Sequence, residues 1–211
     1  MSKDVFSQAV AFFVDTTSQV PPGVWETIAL SEWTVRDLVG HTRRAMLTVE
    51  QYATAGADRE GFGSSEDIAD RGRAAGRNLG GDPVQGVKDI AQRVSALVAS
   101  LPDDHPMNTP AGTRPLVRYL QSRITELTIH TLDLSDAIGI TSEAPDECLR
   151  LTLYGLADIA VRTSMAKDAA FGLTGRRASL RHGVARQLTS VSKNALAYYA
   201  TGLAASARSA G

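Results

Sequence analysis

The fold is decided by residues 114–138, which read RPLVRYLQSRITELTIHTLDLSDAI. Apolar side chains recur there at steps of three and four residues, the period of an α-helix with one buried face. Gly139 follows the last apolar position, and glycine commonly ends a helix because it adopts the left-handed conformation without strain. The stretch therefore predicts a helix of about seven turns that packs against a core by one face.

Three further segments have the same period and predict long amphipathic helices over residues 3–20, 35–52 and 82–101. Thr34 and Asp37 have the spacing of a capping box, in which each side chain bonds the backbone N–H of the other residue, and this sets the start of the second helix. Strand patterns are sparse, which argues against a Rossmann-type or barrel fold. The sequence therefore predicts a mainly α fold, with residues 1–140 forming a four-helix bundle.

Shorter segments join and follow these helices. Residues 54–82 are rich in Gly, Ala, Asp and Ser and predict a long loop with one short helix around residues 66–76. Residues 106–112 predict a second loop, and residues 141–211 a short C-terminal extension that is helical and turn-rich. Within the extension we expect a helix over residues 146–166, a strand and turn over 171–177, and a weak helix over 187–205.

The composition narrows the classes of function. The 211 residues carry a net charge of −1, which gives no electrostatic footprint for nucleic acid. No apolar run approaches the roughly 18 residues that predict a membrane span, and the first six residues contain no apolar leader. We therefore expect a soluble cytoplasmic protein without a nucleic-acid or membrane partner. Cys148 is the single cysteine, and we expect it to be a buried structural residue.

One pair in the deciding helix offers metal chemistry. Glu126 and His130 lie four residues apart and so share one helix face, and both side chains bind divalent metals. His41, early in the second predicted helix, is a third candidate, and His105 and His182 are weaker ones. Burying a carboxylate beside an imidazole costs several kcal/mol unless something compensates, and a metal would do so. Three protein ligands with open coordination positions are typical of a catalytic metal site.

Two carboxylates have the spacing to orient these histidines. Asp133 follows His130 by three residues and Asp37 precedes His41 by four, so either carboxylate could accept a hydrogen bond from a ring N–H. Simpler interpretations stay open. Glu126 could pair with an arginine on a solvated helix face, Asp37 could only cap its helix, and Asp133 could be an ordinary surface carboxylate.

Two segments carry a resemblance to a known family. WTVRDLVGH, residues 33–41, and ELTIHTLDL, residues 126–134, together resemble the N-terminal metal-binding domain of the mycothiol-dependent maleylpyruvate isomerases. That domain belongs to the DinB-like four-helix bundles. PGVW at residues 22–25 fits the same pattern, the resemblance covers roughly residues 5–140, and a family-like LTGR follows at residues 173–176.

The resemblance implies a zinc or similar divalent ion held by His41, Glu126 and His130, in a bundle with up-down-down-up connections. It also implies mycothiol, the low-molecular-weight thiol of actinobacteria, as a co-substrate. The metal would present the thiol as a thiolate to a small electrophile, in a transfer or an isomerisation. Arg176 is a candidate for binding an anionic substrate, although an exposed arginine in a turn is the simpler interpretation of this residue. We expect a monomer or a homodimer.

The resemblance leaves more than one function open. The characterised isomerase carries a sterol-carrier-like C-terminal domain of α/β type, and residues 141–211 are short for such a domain. A mycothiol-using transferase or isomerase is the preferred interpretation. The alternatives are a non-catalytic DinB-like stress or regulatory protein that binds a metal or ligand, and a helical bundle that binds a partner and no metal.

Overall fold

The computed structural model describes residues 2–55 and 65–176, and over these ranges the fold is mainly α. The helices are α1 (Ser2–Ser18), α2 (Val35–Thr54), α3 (Ser65–Arg77), α4 (Pro83–Ser100), α5 (Leu116–Ile138), α6 (Asp146–Arg162) and α7 (Ala166–Leu173). The predicted long helices are confirmed with shifts of a few residues at their ends. The weak helix predicted over residues 187–205 lies outside the described residues.

Two short antiparallel hairpins interrupt the helices. Strands β1 (Ile28–Leu30) and β2 (Trp33–Thr34) pair just before α2, and β3 (Pro106–Thr109) pairs with β4 (Gly112–Pro115) just before α5. The loop predicted over residues 106–112 is therefore wrong. Each of these strands has at most four residues, which is too short for an alternating pattern to stand out.

The strand predicted from residue 171 onward is also wrong, because α7 continues to Leu173. Backbone bonds from Thr174 and Arg176 then close the end of this helix. Gly172 and Gly175 suggested a turn-rich strand in the sequence. The preceding Ala-rich residues instead propagate a helix as far as Leu173, and only Gly175, with a φ of 68°, adopts the left-handed conformation of a turn.

Four helices form the bundle. Helix α1 packs against α4 and α5, and α2 packs against the same two helices from the other side. Near the start of α1, Lys3 bonds the carbonyl of Leu101, just after α4, so these two helices are antiparallel. At the other end of α1, Thr16 Oγ1 lies 3.5 Å from Oγ of Ser142, which follows α5, so α1 and α5 run in the same direction.

Helices α2 and α4 run in the opposite direction to α1 and α5. Arg43, early in α2, contacts Asn78 shortly before α4, and Glu50, late in α2, pairs with Arg93 on α4. The ring of Tyr52 lies 5.5 Å from Tyr119 at the start of α5. The bundle thus has the up-down-down-up arrangement that the sequence resemblance implied, and it lays α2 antiparallel against α5.

A continuous apolar core fills the bundle. Its largest fully buried side chains come from all four helices and include Phe6, Phe13, Leu38, Met46, Ile90, Leu120, Ile124 and Leu127. Each such side chain contributes about 1.5–3 kcal/mol through burial. Gly139 ends α5 with a φ of 72°, which confirms the predicted glycine cap. Ile124 and Leu127 flank Glu126, so the core holds the middle of α5 in place.

Helix α3 packs closely on α2. A Cβ atom on Gly40 would lie 2.4 Å from the backbone of Gly76, and one on Gly76 would lie 2.5 Å from the Asp37 carboxylate. Only glycine permits this approach of the two backbones. The short helix predicted within residues 54–82 is therefore confirmed as α3. It covers the first turns of α2, where His41 lies.

The first helix of the C-terminal extension joins the same core. Helix α6 packs against α5 and α1, and Cys148 is fully buried with its Sγ directed at the carbonyl of Val5 at 3.5 Å. Cys148 is thus a buried structural residue, as predicted. The division of the chain at residue 140 stays a prediction.

Among the helices that the structure describes, none is long and apolar enough to cross a lipid bilayer.

Candidate metal centre

Three side chains from two helices converge in the bundle. His41 comes from α2, and Glu126 and His130 come from α5. Oε2 of Glu126 lies 3.6 Å from Nε2 of His41 and 3.5 Å from Nε2 of His130. The structure therefore brings together the three residues that the sequence singled out, with one nitrogen of each imidazole directed at one carboxylate oxygen.

The local sequence explains this convergence. Thr34 and Asp37 form the predicted capping box, which starts α2 at Val35 and so places His41 in its second turn. Glu126 and His130 follow each other by one turn on α5, on the face toward α2. Helices α2 and α5 pack along their lengths in antiparallel directions. The second turn of α2 therefore meets the later half of α5.

The three groups are largely removed from water. The exposed fractions of the side chains are 8% for Glu126, 12% for His130 and 18% for His41. Burial raises the pKa of Glu126, but interactions with His130 and His41 outweigh it, so the pKa lies below its ordinary value. Glu126 is therefore ionised at neutral pH and supplies a carboxylate charge that a cation, either a protonated histidine or a metal ion, can neutralise.

The two histidines differ in charge. Burial lowers the pKa of His130, but its bonds to Asp133 and Glu126 outweigh burial and raise the pKa to about 9. Burial also lowers the pKa of His41, and the attraction to Glu126 only partly offsets this. At neutral pH, without a metal, His130 is thus the protonated partner of Glu126, whereas His41 is neutral.

Asp133 and Asp37 lie in different relations to the histidines. Asp133 Oδ2 lies 3.0 Å from Nδ1 of His130, so this ring nitrogen has a carboxylate acceptor. Asp37 instead uses its Oδ2 to accept bonds from the N–H and the hydroxyl of Thr34. Within the described residues, Nδ1 of His41 is buried and has no hydrogen-bond partner.

Trp33 is a neighbour of the site that the sequence marked only as the first residue of the WTVRDLVGH segment. Its ring centroid lies 4.5 Å from that of His41, at an interplanar angle of 38°, and 6.5 Å from that of His130. The side chain is 6% exposed. The available signal was its position immediately before the capping box, one residue before the N-cap, where a large apolar side chain usually packs against the first turns of the helix.

The remaining candidates lie apart from the cluster. Arg176 is exposed in the turn after α7, and within the described residues its side chain makes no ion pair or hydrogen bond. Nε2 of His105 lies 3.1 Å from the carbonyl oxygen of Ala53, and this contact fits a structural role for the residue. His182 lies outside the described residues. Within the described residues, Arg176 and His105 therefore do not belong to the cluster around Glu126.

The donor set fits a divalent ion such as zinc. Two imidazole nitrogens and a carboxylate oxygen are common zinc ligands, at bond lengths of about 2.0–2.2 Å, and two ligands of a tetrahedral ion then lie about 3.4 Å apart. The three ligand atoms here lie within 4.8 Å of one another. An ion could therefore take the centre of the cluster after small side-chain movements, with coordination positions left for other ligands.

Comparison with known proteins agrees with this geometry. The family model described as the mycothiol maleylpyruvate isomerase N-terminal domain matches residues 6–135. The match includes α1 to α4 and most of α5, and with them all three residues of the cluster. No curated protein and no solved structure matches the chain.

Proposed function

Because the chain belongs to the mycothiol maleylpyruvate isomerase N-terminal domain family, we propose that it is a divalent-metal-dependent protein that uses mycothiol to transfer the thiol to, or isomerise, a small electrophilic substrate. The observation that carries the proposal is the convergence of two imidazole nitrogens on one buried carboxylate oxygen, at 3.5 and 3.6 Å. A buried carboxylate is costly unless a partner neutralises it; protonated His130 does so in the metal-free protein, and a bound cation would replace that proton.

His41, Glu126 and His130 would hold the metal. His130 would bind through Nε2, since its Nδ1 faces Asp133, and Asp133 would keep the ring in that tautomer and orientation. Glu126 would supply the negative charge of the ligand set. Zinc is our preferred ion, because two nitrogens and one oxygen suit its borderline character.

A metal bound there supplies Lewis acidity, which lowers the pKa of a coordinated thiol or water. The protein's own part is to fix three ligands, keep them largely out of water and leave positions open. An isomerase of this kind adds the thiolate to an activated double bond, allows rotation about the resulting single bond and then eliminates the thiolate. A transferase stops after the addition or displacement.

The thiol would come from outside the chain. Cys148 is the single cysteine, it is fully buried, and burial raises the pKa of its thiol to about 11. A thiol in that state is neither ionised nor accessible at neutral pH. Arg176 remains our candidate for an anionic group of the substrate, on the basis of the family-like sequence around it and its exposed position.

A non-catalytic function is the alternative. A DinB-like stress or regulatory protein would keep the same metal or ligand site and catalyse no reaction. The cluster of His41, Glu126 and His130 suits this alternative too, because it could hold an ion without turning over a substrate.

The test begins with metal analysis of the purified wild-type protein and of His41→Ala. About one equivalent of bound metal in the wild type and little in the variant supports the site. Less than about a tenth of an equivalent in the wild type, with no loss on substitution, would remove the basis of the proposal.

A second measurement separates the two functions. Wild-type protein loaded with zinc is incubated with mycothiol and a panel of small electrophiles, and loss of free thiol is followed over time. Glu126→Gln serves as the matched control, because it keeps the shape of the side chain and removes the charge. Metal-dependent thiol consumption supports the enzyme. Binding of mycothiol or another small molecule by calorimetry, with no turnover, favours the non-catalytic protein.

A further inference from the structure

The two histidines of the cluster are held by different kinds of contact. His130 has a carboxylate acceptor at its Nδ1, at 3.0 Å, whereas His41 has no hydrogen-bond partner at Nδ1 within the described residues. Rotation of an imidazole about its Cβ–Cγ bond is only weakly restricted by the bond itself. The ring of His41 is therefore not held at Nδ1, and its orientation depends on the groups packed against it.

The indole of Trp33 lies against that ring. The two centroids are 4.5 Å apart, and the indole also meets the edge of His130 at 6.5 Å. A buried aromatic surface at this distance blocks rotation of His41 out of the cluster by simple overlap. Trp33 thus restricts the orientation of the His41 ring, as Asp133 restricts that of the His130 ring.

Helix α3 in turn fixes Trp33. The indole Nε1 donates a hydrogen bond to the carbonyl of Ala69 at 3.1 Å, and this bond is buried. Gly72, one turn later on α3, lies directly over the indole: a Cβ atom there would be 2.5 Å from Cε2 and Cζ2 of Trp33. The indole is therefore confined between His41 and the backbone of α3.

We propose that Trp33 is a positioning residue for His41 and couples the docking of α3 to the metal affinity of the site. This inference rests on the proposed metal site and goes beyond it, because Trp33 and α3 supply no ligand. Any change that moves the indole without touching the ligands alters the orientation of His41 and weakens metal binding.

Gly72→Ala is the sharpest test, because the three atoms nearest to the new methyl group all belong to the indole and the position is remote in sequence from every ligand. Gly86→Ala is the matched control, since it adds the same methyl group in the interior of α4, where the nearest atom would be the carbonyl of Leu79 at an ordinary 3.4 Å. Trp33→Phe removes the Nε1–H and the outer part of the indole. The double variant, Gly72→Ala with Trp33→Phe, completes a cycle.

The measurements are zinc affinity, by competition with a chromophoric chelator, and the visible absorption of the Co²⁺-loaded protein, with far-UV circular dichroism as the check of folding. We expect Gly72→Ala and Trp33→Phe each to weaken zinc binding about tenfold, the lower end for residues that orient ligands. The Co²⁺ bands should shift in both variants, and Gly86→Ala should match the wild type. In the Trp33→Phe background, Gly72→Ala should add little, because the smaller ring leaves room for the methyl group.

Three outcomes overturn the inference. If Gly72→Ala and Trp33→Phe bind zinc as Gly86→Ala does, Trp33 has no positioning role. If their effects multiply in the double variant, the two residues act separately and α3 is not coupled through the indole. If the wild type binds neither zinc nor Co²⁺, the proposed function fails together with the inference. Should Gly72→Ala not fold, the zinc affinity and the Co²⁺ spectrum of Trp33→Phe alone test the inference.

Discussion

Asp133 Oδ2 lies 3.0 Å from Nδ1 of His130, one turn further along the same helix. Because a carboxylate oxygen accepts the hydrogen bond, Nδ1 donates its N–H to Asp133, and Nε2 is the nitrogen directed at Glu126. The pair therefore fixes the direction of the ring before any metal arrives, and Nε2 is the nitrogen that would lose its proton to bind one. It also gives this side of the site a fixed geometry.

We predict that Asp133→Ala weakens zinc binding about 10–100-fold, because His130 loses the acceptor that orients it. The measurement is a competition titration with a chromophoric chelator. Asp136→Ala is the matched control, since Asp136 is exposed on the same helix, and it should bind zinc like the wild type. Equal affinities for the two variants would show that Asp133 does not orient the ligand.

We predict that Glu126→Ala loses zinc binding while its helical circular dichroism stays near that of the wild type. The variant removes the charged ligand, whereas Ile124 and Leu127 continue to anchor α5 in the core. Metal content and far-UV circular dichroism are measured on the same sample. Global unfolding of Glu126→Ala would instead mark Glu126 as a structural residue.

We predict that zinc affinity rises with pH by about tenfold per unit between about pH 7 and pH 9. The pKa of His130 is raised to about 9 in the metal-free protein, so below that pH zinc must displace a proton from this ring. The pKa of His41 is lowered, so that ring contributes no proton in this range. The affinity therefore falls as the pH falls.

Calorimetric titrations at about pH 7, in two buffers of different ionisation enthalpy, check the same prediction. They should report release of about one proton per zinc ion. The same titration with Asp133→Ala provides the control, because without this acceptor the pKa of His130 falls and a smaller fraction of a proton is displaced. A zinc affinity that stays constant between pH 7 and pH 9 would contradict the assignment of the proton to His130.

We predict that zinc at about a hundred times its dissociation constant raises the melting temperature of the wild type by roughly 5–10 °C. Binding to the folded state alone contributes about 2.7 kcal/mol under this condition, and a domain of this size gains about 2–4 °C per kcal/mol. Scanning calorimetry with and without zinc measures the shift. His41→Ala should show almost none, and an equal shift in that variant would place the stabilising ion elsewhere.

We predict that Cys148 does not react with an aromatic disulfide reagent in the native protein at neutral pH and reacts fully in guanidinium chloride. The side chain is completely buried, and burial raises the pKa of its thiol to about 11. Cys148→Ala should keep the zinc affinity of the wild type. Rapid modification of the native protein would show that the thiol is accessible and would reopen a role for it in chemistry.

The long helices followed from the sequence because each carries a sustained period of three to four residues, and because Thr34, Asp37 and Gly139 mark ends with their own chemistry. The hairpin formed by β3 and β4 could not be predicted from the sequence. Its strands have four residues each, and Pro106 and Pro115 stand at its ends, so local preference favoured a loop. Only pairing across the turn, a contact between strands, stabilises it.

The candidate site, too, could be predicted only in part from the sequence. Glu126 and His130 share a helix face, which spacing alone predicts, and His41 entered through its own helical context. The position of Trp33 beside His41 could not be predicted from the sequence, because it depends on how α3 packs over α2. That packing rests on Gly40, Gly72 and Gly76, and a glycine within a predicted helix does not by itself show which neighbour it approaches. Asp37 had two interpretations, and its hydrogen bonds to Thr34 are those of the helix cap.

The order of the helices has a consequence during synthesis. Helix α1 packs mainly against α4 and α5 rather than against the helix that follows it, and α2 also packs against α5. A growing chain therefore exposes the apolar faces of α1 and α2 until the end of α5 has left the ribosome, and the bundle closes late. Premature termination before α5 yields a chain with an unburied Phe6 and Phe13, which is a substrate for chaperones and proteases and not a partly active protein.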